Sequence, residues 1–202
     1  MKNINMNTNR GKLLNTIKFF KPKLYRKMIY TGRLYEFLIR ELEETLSEDS
    51  KYSLKDYKEA AYLCNIGFMS LEESLYLESF NKSHSLVLIK DHVSRSVDYL
   101  EKNKFEKVAE IVNLHHELPN GLGYQKIQQQ DKFIAYINIA DDFIDLTTDF
   151  YKNTPTKIAR EAIEIIVAHY KNNNLIDREE FKTIKEDLIH FYERNIFNVQ
   201  FS

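Results

Sequence analysis

The chain has 202 residues, 43% hydrophobic and 29% charged, with a net charge of −1, which suits one well-buried domain and is short for two. No apolar run reaches the length of a membrane span and no secretory leader pattern is visible. The single cysteine, Cys64, excludes an internal disulfide framework and fits a reducing cytoplasm.

Charge is distributed unevenly. Residues 1–27 carry eight basic side chains and no acidic one, leaving 21 basic against 30 acidic residues in the remainder. This segment reads as a basic arm or leader ahead of a helical domain at 28–197. It either lies loose or docks on the acidic body, a partner or an anionic surface. No aromatic residue interleaves its charges before Phe19, which argues against a nucleic-acid platform.

Downstream the pattern is helical throughout. Leu34, Phe37, Leu38, Leu42 and Leu46 fall on one stripe, and Phe133, Ile134, Ile137, Ala140 and Ile144 fall on another with Asp141 beside it. Start signals stand at Ser53, Ser70, Ser85 and Thr154-Pro155. Breaks are expected at Ser47–Ser50, Asn81–Ser83, His115–Gln130 and Asn172–Asn174. No strand-like alternation competes, so the fold class is all-α.

The most informative stretch is His115-His116-Glu117-Leu118-Pro119-Asn120-Gly121-Leu122-Gly123-Tyr124-Gln125, which spends two of the chain's five glycines on one turn. Imidazole is the commonest protein ligand for transition metals, and glycine lets main chain approach a ligand closely. The same histidines could instead cap a helix end by bonding to its carbonyls.

Read in order, the chain resembles the HD-GYP family, bacterial metal-dependent phosphohydrolases that hydrolyse cyclic di-GMP. The tandem-histidine loop is similar to the family pattern His-His-Glu-x-x-Asp-Gly-x-Gly-Tyr-Pro. Ala140-Asp141-Asp142-Phe143-x-x-Leu146-Thr147 looks like its Ala-Asp-x-Phe-Asp-Ala-Leu-Thr helix, and Leu63-Cys64-Asn65-Ile66-Gly67-Phe68 stands in the place of Leu-His-Asp-Ile-Gly-Lys. The resemblance spans residues 28–192 and implies a helical bundle of the HD superfamily with about seven to eight helices. It places His92, His115, His116 and Asp141 as metal ligands, and Asn120, Gly121, Gly123 and Tyr124 in a loop that meets substrate or partner.

The departures gather in one sub-site. Cys64 and Asn65 replace the family's histidine and metal-bridging aspartate, Phe68 replaces a lysine that meets phosphate, and Tyr30 stands at the first histidine position with Arg33 one turn on. Asparagine keeps the shape of aspartate without its charge. Cys64, in an apolar run, reads as a small buried hydrophobe unless a metal lowers its pKa. The resemblance therefore implies a reduced site holding one transition metal (Fe, Mn or Zn) or none. The function expected is a catalytically impaired signalling protein that binds a cyclic dinucleotide or a partner such as a diguanylate cyclase domain. An active phosphodiesterase with one metal is the alternative, and a helical scaffold the third reading. His84, His169 and His190 match no motif and read as structural or surface residues, and either Asp141 or Asp142 is expected to partner a basic side chain.

Overall fold

Capping chemistry sets where the helices begin. In the computed structural model, which describes residues 8–71, 89–148, 157–170 and 175–197, eight α-helices succeed one another. They are α1 (Asn9–Phe20), α2 (Pro22–Leu38), α3 (Leu54–Leu63), α4 (His92–Lys102), α5 (Glu106–Asn113), α6 (Lys132–Thr147), α7 (Ala159–Tyr170) and α8 (Arg178–Tyr192). No strand occurs among the described residues, so the all-α expectation holds.

Ser53 opens α3 with a full capping box: its hydroxyl accepts from Asp56 N–H at 3.2 Å while the Asp56 carboxylate accepts from Ser53 N–H at 2.9 Å. Asp131 caps α6, accepting from Phe133 N–H at 2.8 Å, and its other oxygen takes the Tyr57 hydroxyl at 2.5 Å, which pins the start of α6 to α3. Ser70 ends a short 3₁₀ turn (Ile66–Ser70). Ser85, Thr154-Pro155, Asn81–Ser83 and Asn172–Asn174 lie outside the described residues, while breaks do fall at 47–50 and across the tandem-histidine loop.

The stripe beginning at Leu34 is carried across a helix end. α2 stops at Leu38, where the Arg40 guanidinium captures the Phe37 carbonyl at 2.6 Å, and Leu42 and Leu46 continue the apolar face from the turn beyond. α6 is the central element, with residues buried on almost every side of it: Phe133, Ile134, Tyr136, Ile137, Ile139, Phe143 and Ile144 join Asn138 and Asp141 inside. Around it, α2 packs on α3, α6 and α8, α7 lies against α6 and α8, and α4 packs on α5 and the 3₁₀ turn.

Residues 8–27 are packed into this structure. Leu14, Ile17 and Leu24 are buried in the core, and Lys21 Nζ donates to the carbonyls of Phe68 (3.2 Å) and Leu71 (2.6 Å). The division expected at residue 27 falls inside α2. No helix among the described residues is long and apolar enough to cross a membrane.

Candidate metal centre

His92, His115 and His116 reach one point from different directions. His92 lies in the first turn of α4, on a face with Ser96 and Leu100 at four-residue spacing, all three buried. The Ser96 hydroxyl donates to the Cys64 carbonyl (2.9 Å) and accepts from Gly67 N–H (2.8 Å), stitching α4 to the turn that follows α3. A Cβ at Gly67 would overlap the His92 carbonyl, so this approach requires glycine. His115 and His116 follow the last turn of α5. The His115 Nδ1–H bonds to the Val112 carbonyl at 2.6 Å, so this histidine caps the helix while its other nitrogen faces inward.

The ligand nitrogens of the three rings lie within 4.8 Å of one another, and all three side chains are buried. His92 Nδ1 contacts the Ile89 carbonyl at 2.5 Å as His115 Nδ1 contacts that of Val112. A carbonyl only accepts, so each Nδ1 carries the proton and each Nε2 presents a lone pair. Those two Nε2 atoms are 3.3 Å apart. Two lone pairs aimed at each other at that distance repel unless a cation sits between or beside them, so the donor set fits a transition-metal ion. Burial drives His92 down to about 3, with His115 adding to the shift; burial likewise lowers His115 and His116, so all three imidazoles are neutral at pH 7.

Asp141 stands on the opposite side, its Oδ2 3.8 Å from His116 Nε2 and without a hydrogen-bond partner among the described residues. Its Oδ1 is crowded with donors: Asn65 Nδ2 at 2.5 Å, Thr31 Oγ1 at 3.3 Å and Lys27 Nζ at 3.4 Å. Lys27 Nζ also pairs with Asp145 Oδ1 at 2.7 Å, although the lysine is 1% exposed. Burial works against both charges of this pair. Asp141 and Asp145 nevertheless hold the lysine above its ordinary pKa, and Lys27 keeps Asp141 below the usual carboxylate range.

Two aromatic rings close the cluster. Phe68 stacks on His92 (centroids 4.3 Å apart, planes 7° apart), and Tyr124 stacks on His116 (4.3 Å, 22°). Beyond Tyr124 lies a cleft lined by Lys90, Asp91, Val93, Ser94, Asn113, Tyr124 and Gln125, with Lys90 Nζ 5.0 Å from the tyrosine ring centre. Gly123 has no room for a Cβ against the His116 carbonyl and Glu117, and Gly121 has φ +70°. The left-handed residue of this turn is thus Gly121, while the Asn120 side chain accepts from Leu122 N–H at 3.0 Å.

The HD domain family matches residues 25–179. The chain belongs to that family. Among solved structures it is similar to the HD domain of the L. monocytogenes phosphodiesterase PgpH, at 18% identity and a TM-score of 0.64, over 90% of this chain and 97% of that one. The same domain in complex with cyclic-di-AMP matches at 16% identity and a TM-score of 0.64, over 92% and 97% of the two chains. No curated protein matches it.

Within this HD domain, one reading from the sequence shifts. Tyr30 does not face the cluster; its hydroxyl bonds to the Asn195 carbonyl at 3.3 Å, and Lys27 and Thr31, four residues apart on α2, are the residues that meet Asp141. The buried Glu117 carboxylate accepts the Gln125 N–H at 2.8 Å together with Ile127 N–H at 2.8 Å. Both aspartates meet a basic side chain: Asp142 pairs with the part-exposed His169 at 3.5 Å, as expected of one of them, and the inward-turned Asp141 lies 3.4 Å from Lys27. Cys64 is a buried thiol pushed up by burial, outside the three-histidine group, and His190 stacks on Phe37. His84 lies outside the described residues. Lys27 and Glu117 were missed: the first hid among the other cations of a basic segment, the second inside the motif it organises.

Proposed function

We propose that this HD domain is a signalling protein of the HD-GYP type that binds a phosphate-bearing ligand, such as a cyclic dinucleotide, at a one-ion centre with little or no turnover. The carrying observation is the 2.5 Å hydrogen bond from the Asn65 amide to Asp141 Oδ1. Where the HD-GYP pattern has an aspartate that bridges two ions, this chain has an amide that donates to the neighbouring carboxylate and offers no anionic oxygen.

His92, His115 and His116 would hold the ion, with Asp141 Oδ2 in reserve. An ion there supplies Lewis-acid charge toward a phosphate oxygen or a water. The chain's own contribution is orientation: backbone carbonyls fix two imidazole tautomers, Glu117 holds the loop, and Tyr124 separates the histidines from the cleft beside Lys90. Lys90 gives that cleft a cation suited to phosphate, while Phe68 puts an apolar ring where the resemblance has a lysine. That PgpH, of the same fold, was captured with cyclic-di-AMP supports a cyclic dinucleotide as ligand, and the tandem-histidine loop supports cyclic di-GMP.

An active one-ion phosphodiesterase is the second reading, favoured by the converging lone pairs of His92 and His115. Calorimetric titration of the Mn2+-loaded protein with cyclic di-GMP and with cyclic-di-AMP, beside a hydrolysis assay, separates the two. Saturable binding without product supports the binding role. Release of linear dinucleotide that disappears in His115→Ala establishes the enzyme. Neither binding nor product overturns both and leaves a scaffold.

A further inference from the structure

We propose that the Lys27 ammonium is a cation built into the chain in place of a second metal ion, and that it restricts the centre to one. The inference deepens the one-ion reading above and rests on it. Lys27 Nζ lies 3.4 Å from Asp141 Oδ1 and 2.7 Å from Asp145 Oδ1, and its side chain is 2% exposed. A lysine this deep in a helical domain is rare without an assigned partner, and here it has two carboxylates.

The geometry around Asp141 is asymmetric. Among the described residues, the donors from Lys27, Thr31 and Asn65 all converge on Oδ1, whereas Oδ2 faces His116 without one. A divalent ion on the Oδ1 side would have to displace all three donors and lie beside a fixed positive charge in a water-poor interior. An ion on the histidine side meets open lone pairs. Lys27 and the two carboxylates together carry a net charge of −1, so one further cation is electrostatically welcome. The lysine also projects toward the Phe68 ring, 5.5 Å from its centre, and Phe68 in turn stacks on His92. The Phe68 ring thus touches both the built-in cation and the histidine cluster, accepting positive charge at its face.

The test counts ions. Wild type, Asn65→Asp, Lys27→Met/Asn65→Asp and Lys27→Gln/Asn65→Asp are loaded with Mn2+, desalted and analysed for metal per chain, with melting temperatures taken in Mn2+ and in EDTA. The proposal expects at most one ion in wild type and in Asn65→Asp. It expects one ion more in the Lys27 double variants, together with a larger Mn2+-dependent rise in Tm than wild type shows. A second ion in Asn65→Asp alone, or no gain in folded double variants, overturns it. Collapse of both double variants even in Mn2+ also overturns it, assigning Lys27 to the core alone. A wild type that binds no ion sinks the one-ion reading, and the gain in the variants is then scored on its own.

Discussion

On one side of Asp141, three imidazoles from α4 and the end of α5 converge, two of them with lone pairs inward; on the other, an amide, a hydroxyl and an ammonium converge as donors. Both sides bury polar groups of similar number, yet one is short of a cation and the other already contains one. A buried carboxylate tolerates either arrangement provided its charge is answered. On the proposal above, the contrast illustrates how a helical pocket of this kind would trade a bound cation for one supplied by the chain without changing its fold.

The sharpest way to break the comparison is to remove the built-in cation. Lys27→Met should cost about 3–5 kcal/mol of unfolding free energy in EDTA, because it strands the buried Asp141 carboxylate. Lys27→Met/Asp141→Asn should recover much of that loss in urea titrations. If the single variant is as stable as wild type, Lys27 does not neutralise Asp141.

Acid attacks the other half. The unfolded chain protonates His92, His115 and His116 below about pH 6.5, whereas the folded chain, with His92 lowered to about 3 and the other two also lowered, does not. The unfolded state then binds more protons, so stability falls as pH drops through 6.5, on the order of 1 kcal/mol per pH unit for each imidazole. His169, raised by its bond to Asp142, works the opposite way: its contribution is full below about pH 6.5 and is lost as pH rises through its folded pKa. Urea midpoints between neutral pH and pH 5 that stay flat would contradict a neutral buried cluster.

Substitutions in the loop should have smaller effects. Gly123→Ala sets a methyl against the His116 carbonyl and Glu117, and a loss of about 1–3 kcal/mol is expected with weaker Mn2+ binding. Tyr124→Ala removes the stack on His116 with the edge contact to His92 and the Lys90 contact, at about 1 kcal/mol for the stacked pair, while opening the histidines to the cleft. Faster Mn2+ release from Tyr124→Ala with nearly unchanged Tm would mark the tyrosine as a cover.

Much of this was legible in the residues. Helical periodicity without Gly or Pro announced the bundle, Ser53 announced α3, and the Gly-x-Gly-Tyr turn after two histidines announced the site. Lys27 was not legible, because in sequence it is one of eight cations in a segment without acids, and nothing local marks it as the one that turns inward. Tyr30 misled for a related reason. Three residues from Lys27 it lies about 60° away around the helix, enough to face α8 and not α6.

The sequence by itself determined the fold class and pointed to the loop and, through the family resemblance, to the three imidazoles that the structure brings together, since these depend on residue order and backbone freedom along the chain. Only the tertiary structure decided which α2 side chain answers Asp141, that Glu117 holds the loop, and which carboxylate oxygen stays open. Those facts depend on how helices distant in sequence are rotated against one another, and burial turns that rotation into a choice of charge partner.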